Sequence, residues 1–364
     1  MKTAENLKQI TRNRRNFIKN LSAGTGGLVL GMICKTSESY AKSAKQVQPG
    51  KSTVSFTASK DAREASYQAL KPLEKEIEKA IGKKQVVIKI NSGQVSPKLW
   101  LNATDVNSVR GILDFLKPVY DKKVIIAEST AASPQTTMAA FENYNYMPLL
   151  KEYNIKFTDL NTVTYKTKWI LDENNHPFPI NIIDTYLDPD VYLISATRLK
   201  THDCVIATLS LKNIVMGSPV NHYNQNNARS RNEKPFMHNG GNKGLSYNIF
   251  LLANMGVRPS LAVLDGVIGM EGEGPVSGTP VEQGVALAST DWLAADRLGV
   301  ELMGIDYNDV KYLQWCAAAG MGKDNLSDIN VIGPDYTKHI IKYKPNPNID
   351  EQHEWIEKDY GKSK

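Results

Sequence analysis

Short apolar runs of strand character alternate with longer runs of helical period, and polar or charged residues recur directly after the strands. Those two observations predict an α/β fold built on a largely parallel sheet flanked by helices. Length and composition agree: 364 residues, 41% hydrophobic and 23% charged, are those of an ordinary globular chain able to bury a large core.

The first forty residues stand apart. Arg14 and Arg15 precede Phe17, Ile18 and Lys19, an apolar run diluted by Gly24, Gly26, Gly27 and Gly31 follows, and Ser39-Tyr40-Ala41 supplies small residues for cleavage. Residues 1–41 therefore read as a twin-arginine export signal. A membrane anchor needs about twenty apolar residues, more than this glycine-rich run offers. Cys34 lacks a leucine three residues before it, so soluble export is expected over lipidation. The expected location is periplasmic or extracellular, reached through the twin-arginine machinery, with no stable membrane insertion after cleavage.

Removing that segment changes the charge. The whole chain carries 44 basic and 38 acidic residues, but beyond residue 41 the counts are 37 and 36. A near-neutral protein gives no electrostatic reason to expect nucleic acid, which is held through many phosphate contacts. The three cysteines, Cys34, Cys204 and Cys316, form no CxxC pair, so no iron–sulfur cluster is expected.

A polar linker, 42–53, leads into the body, 54–333. Strands are expected at 54–57, 85–90, 123–127, 154–157, 191–196, 260–264 and 329–332. Helices are expected at 62–81, 105–115, 148–153, 245–255, 291–303 and 310–319. Residues 334–364 read as a polar C-terminal extension.

Ligands of open parallel sheets collect at the carboxyl ends of the strands. Lys89 and Asn91 follow the second strand, Glu128 the third, and Asp265 the strand near 264. The richest segment is 198–218, where Arg198, Lys200, His202 and Lys212-Asn213 bracket apolar residues. A lysine in apolar sequence implies an anionic partner or a depressed pKa suited to proton abstraction; snorkelling to the surface is the bland alternative. Lys200 and His202 point the same way if the segment is extended.

The polar stretch 221–243 is too long for an ordinary connection and reads as a lid or binding loop carrying His222 and His238, of which His238 is the better candidate ligand or base. Residues 264–278 read as a glycine-rich turn with Asp265, Glu271 and Glu273, matching neither nucleotide fingerprint. Asp265 and Glu271 suit a divalent metal, or pairing with Lys200 or Lys212. Asp291 reads as a helix cap, and Asp296 as a residue of that helix's polar side.

Taken together, Lys89-Ile90-Asn91, Lys200-Thr201-His202, Lys212-Asn213 with Gly217, His238, Leu264-Asp265-Gly266, Glu271 to Pro275 and Gly320-Met321-Gly322 resemble the DUF362 family over about residues 54–333. Its members often occur with ferredoxin-like modules. This chain departs in having Ile90 in a Lys-Pro-Asn phrase and Glu128 for an aspartate, and in lacking the cluster cysteines, which counts against electron transfer. More distantly, lysine and histidine followed by Lys-Asn, glycine and a later histidine look like lactate racemase N-terminal domains. That likeness implies a nickel-pincer nucleotide carried on lysine and histidine.

The expected function is a metal- or cofactor-assisted enzyme on a small anionic substrate, by proton transfer or redox chemistry. Lys200, His202, Lys212 and His238 would be catalytic, Lys89, Asn91, Asn213 and Glu128 would bind a nucleotide-like cofactor, and Asp265 and Glu271 a metal. The alternatives are a non-catalytic small-anion binding protein and a structural network of Lys–Glu pairs.

Overall fold

The computed structural model describes residues 50–131, 137–222 and 231–361. The signal and most of the linker expected from the sequence, with Cys34, lie outside these. Among the described residues no helix is long and apolar enough to cross a membrane.

A nine-stranded mixed sheet forms the centre. Its strands are β1 (Ser52–Ala58), β2 (Gln85–Lys89), β3 (Val124–Glu128), β4 (Ile155–Asp159), β7 (Val191–His202), β8 (Ile206–Thr208), β11 (Leu261–Glu271), β12 (Thr279–Ser289) and β13 (Ile329–Ile332). The order is β13-β1-β12-β11-β7-β2-β3-β4, with β8 folded back on β7. From β11 to β4 every pairing is parallel. β12 is antiparallel to both neighbours. The fold is thus α/β with a mostly parallel sheet, as the alternation of apolar runs predicts. A hairpin, β5 (Tyr165–Leu171) and β6 (Pro177–Ile183), stands beside it, and β9 (Asn221–His222) pairs with β10 (Arg231–Asn232).

Side chains alternate across the sheet as a period of two requires. Val86, Ile88, Tyr192, Ile194 and Val263 join one core with helices α1 (Ala62–Leu70), α2 (Glu74–Ile81) and α3 (Val106–Leu116). Val87, Leu193, Leu264 and Leu287 join the other, with α6 (Ser210–Gly217), α7 (Gly241–Asn254), α8 (Trp292–Leu302) and α9 (Lys311–Ala318). Two short helices, α4 (Thr137–Asn143) and α5 (Leu149–Glu152), precede β4, and α10 (Ile349–Tyr360) is the last element.

Several boundaries differ from expectation for identifiable reasons. The helix expected over 62–81 is interrupted at Pro72, where a 3-10 turn separates α1 from α2; proline has no N–H to continue the ladder. The supposed glycine-rich turn at 264–278 is largely strand, since β11 runs to Glu271. Residues 334–361 pack back on the body: Tyr343, Gln352 and Ile356 are buried. Asp291 caps α8 as expected, accepting from the N–H groups of Leu293 and Ala294.

Candidate functional site: a cavity walled by buried lysines

The carboxyl ends of β2, β3 and β7 converge with one side of α6 on a cavity of about 390 Å³. Lys89 ends β2, Glu128 ends β3, and β7 continues past the expected end to carry Lys200. The segment 210–217, read in sequence as an apolar run, is the helix that brings Lys212 and Asn213 to the same space. Gly217 closes that helix because a Cβ there would lie 2.7 Å from both Lys89 Cε and Tyr186 Oη.

Four lysines line the cavity, Lys89, Lys200, Lys212 and Lys234, each no more than 6% exposed. Three of them are tied down. Lys89 Nζ donates to Asn213 Oδ1 at 2.7 Å and lies 2.9 Å from Glu128 Oε1. Lys200 donates to Asn91 Oδ1 and to the carbonyls of Asn102 at 2.8 Å and Pro275 at 3.4 Å. Lys234 donates to the carbonyls of Gly217 and Pro219, both at 2.9 Å, Met216 at 3.2 Å, and to Ser129 Oγ at 3.4 Å. Lys212 makes no hydrogen bond or ion pair with any described residue. Burial pulls its pKa down to about 8, because an ammonium loses its hydration there. The same cause brings Lys234 to about 7 and holds Lys200 well below its ordinary value, the latter helped by the charges of Lys212 and Arg198.

Asparagines complete the wall. Asn213 Oδ1 also accepts from Asn91 Nδ2 at 3.1 Å, and its Nδ2 donates to Ser195 Oγ at 3.0 Å. Glu128 has its oxygens committed: besides Lys89, it accepts from Ser92 N at 2.5 Å and Ser129 N at 2.7 Å. It is therefore a structural counter-charge. Thr208 Oγ1 is buried, belongs to a residue lining the cavity, and has no hydrogen-bond partner among the described residues. His238 is exposed at the rim, its pKa lowered by the desolvating walls and then by the charge of Lys212.

Other expected site residues are elsewhere. His202 is buried outside the cavity lining; its Nδ1 accepts from Cys204 N at 2.9 Å and lies 3.0 Å from Asp203 Oδ1. His202 is the last residue of β7, and its ring is engaged by the β7–β8 turn that follows. Arg198 is spent on the carbonyls of Ala103 and Ile268, both at 2.7 Å, and on Asp105. Asp265 sits beside it, 4.0 Å from Arg198 Nη1, pushed up to about 6 by burial. Glu271 accepts from the backbone N of Lys344 at 2.8 Å. Neither carboxylate lines the cavity or pairs with Lys200 or Lys212, because β11 keeps them on a strand instead of a turn. Glu273 is exposed. His222 packs against the Tyr165 ring, 5.4 Å between centroids.

The long polar loop does supply the site, through Lys234 and His238; its residues 223–230 lie outside the described ones. Lys234 was not singled out by sequence because it closes the polar run Arg231-Asn232-Glu233, and the three residues after it, Pro235-Phe236-Met237, are too few to mark it as buried. Among the described residues, His202, Asp203 and Cys204 form a group whose donor atoms, within 4.8 Å of one another, could share a metal ion. His238 Nδ1 is 4.0 Å from Cys204 Sγ. The charge of Lys212 acts on all of these groups and opposes a cation. Of the lysine–histidine set implied by the lactate racemase likeness, Lys200, Lys212 and His238 share the cavity and His202 does not.

The architecture and site define an α/β protein with a cationic cavity at the ends of its parallel strands. The chain belongs to the DUF362 family, a domain of unknown function, whose model matches residues 86–301. It is 27% identical over 167 residues to the thylakoid-associated protein sll1697 of Synechocystis sp.. That match covers 45% of this chain and 47% of the relative, so the chain spans about half of the curated relative's length. Among solved structures it is similar to the lactate racemase apoprotein of Thermoanaerobacterium thermosaccharolyticum, at 15% identity and a TM-score of 0.42 over 71% of this chain and 58% of that one. A Thermotoga maritima protein matches at 10% identity and a TM-score of 0.37, over 70% and 58%.

Proposed function

We propose that this DUF362 member binds a small organic anion in the lysine-walled cavity and transfers a proton at a carbon beside the anionic group, with Lys212 as base. The observation that carries this reading is Lys212 itself, a buried amine on the cavity wall without a hydrogen-bond or ion-pair partner among the described residues, while the other three cavity lysines are all tethered. An amine that releases its proton near pH 8 can accept one from substrate under mildly alkaline conditions. Lys200 and Lys234, held in place by carbonyl and side-chain oxygens, lose their protons readily in the empty cavity; a bound anion would restore them, so that they stabilise negative charge that develops as the proton leaves. His238, at the rim, would pass the proton to solvent.

The wall suits an anion better than a bare metal ion. Its one carboxylate, Glu128, is already saturated, and Asp265 and Glu271 lie outside it. A phosphate-bearing cofactor would meet cations here.

The test is proton exchange in D2O, followed by NMR, with short 2-hydroxy and 2-oxo acids. The full chain should exchange the hydrogen at the carbon beside the carboxylate, and Lys212→Met should reduce the rate by about 100-fold or more with an unchanged fold. Equal exchange in that variant rejects Lys212 as base. Tight binding without any exchange would identify a non-catalytic anion-binding protein, a reading that the tethering of Lys200 and Lys234 supports.

We further propose export through the twin-arginine route, on the Arg14-Arg15 signal. Replacing both by lysine should leave the protein in the cytoplasmic fraction; unchanged export would reject the signal.

A further inference from the structure

The cavity's charges do not balance, and the imbalance is specific. Four lysines face one carboxylate. Lys89 and Glu128 cancel at 2.9 Å. Lys200, Lys212 and Lys234 remain; every oxygen that Lys200 and Lys234 meet is a neutral carbonyl, amide or hydroxyl. Such oxygens satisfy N–H donors without cancelling net charge, and an uncompensated buried charge is costly. The free groups differ from these two: Lys212 and Thr208 Oγ1 have no hydrogen-bond partner among the described residues, and both residues line the cavity.

We infer that the ligand of this cavity is a dianion, a phosphate monoester or a dicarboxylate, whose two negative charges compensate Lys200 and Lys234 while its polar atoms meet Lys212 and Thr208. This rests on the anion-binding reading above and deepens it. A monoanion leaves one buried ammonium uncompensated. A trianion adds a negative charge that only a protonated Lys212 would meet, at the expense of its role as base.

The proton balance provides a second signature. In the cavity without ligand, burial drives Lys200 and Lys234 toward loss of their protons. A dianion reverses that preference, so binding at pH 8 draws protons from the buffer.

The experiment is titration calorimetry on the full chain with succinate, with succinamate, which has nearly the same size and one charge fewer, and with inorganic phosphate. Succinate or phosphate should bind roughly tenfold or more tighter than succinamate, with net proton uptake seen by comparing buffers of different ionisation heat. Lys234→Met should bring the preference below about twofold, since one of the two compensated charges is gone. Lys200→Met makes the same test should the first variant fail to give a cooperative melt. A preference shown by phosphate alone assigns a phosphate ester, and by succinate alone a dicarboxylate. Equal binding of succinate, succinamate and phosphate overturns the dianion and leaves the anion cavity standing. Absence of binding by all three overturns both.

Discussion

Lys89 Nζ stands 2.9 Å from Glu128 Oε1 in a pair whose side chains are each only 2% exposed. Neighbouring parallel strands, β2 and β3, deliver the two ends, with Lys89 in register with Ala127. Breaking a buried pair leaves a lone charge. Glu128→Leu is therefore expected to lower stability by about 3–5 kcal/mol, and Lys89→Met in the same chain to recover most of it. Urea unfolding of the single and double variants checks this; equal losses in both would show that the pair is not the unit.

Lys212 carries the opposite expectation for stability. Its folded pKa is depressed to about 8 from 10.5. A depressed lysine is more easily protonated in the unfolded chain, so its penalty on the fold builds as pH falls from about 10.5 and is complete below about 8. Lys212→Met should raise stability by about 1–3 kcal/mol at pH 7, with the gain shrinking above pH 8. Thermal melts between pH 6 and 9.5 decide it: a gain independent of pH would mean that the ammonium is not what strains the site.

Asp296 tests how the helix bearing Lys212 is held. Its carboxylate accepts from Ser210 N at 2.8 Å and Leu211 N at 2.9 Å, at the start of α6, and burial pushes it up to about 8. A raised folded pKa gives stability that is complete below the unfolded value and is lost as pH rises through about 8. Asp296→Asn should flatten the fall in melting temperature between pH 5 and 9. An unchanged slope would place that titration elsewhere.

The legibility of these features in sequence follows their physics. Two strand ends were readable because apolar runs stop at Lys89 and Glu128, and the parallel-sheet rule says what collects there; the same reading failed at Asp265, where β11 continues to Glu271. β12 and α6 were not, since 279–289 begins polar and 210–217 is too short and too apolar for its period to separate helix from strand. In the site, Lys200, Lys212, Asn213, Asn91 and His238 announced themselves by type and spacing. His202 and Arg198 share those types but are consumed by a turn and by backbone carbonyls, partnerships that only tertiary structure creates. Asp296, read as a residue of the polar side, is buried because a distant helix start needs its oxygens.

Gln352 predicts a positioning effect across the molecule. Its Oε1 accepts from Ile206 N at 2.7 Å and its Nε2 donates to the His202 carbonyl at 2.9 Å. Ile206 has φ +68°, a conformation costing a β-branched residue about 1–3 kcal/mol. Gln352→Ala should loosen the β7–β8 turn, speeding amide exchange there and weakening anion binding several-fold. Adding Ile206→Gly should recover part of the loss by relieving the strained residue. Unaltered exchange at 202–208 would show that the turn holds itself.

That clasp also sets a timetable. The β7–β8 turn is made about 150 residues before its brace, so a chain growing from its N-terminus carries Lys200 and Lys212 long before α10 exists. The brace of the turn is thereby made only after every residue that lines the cavity, the last of which is Val276.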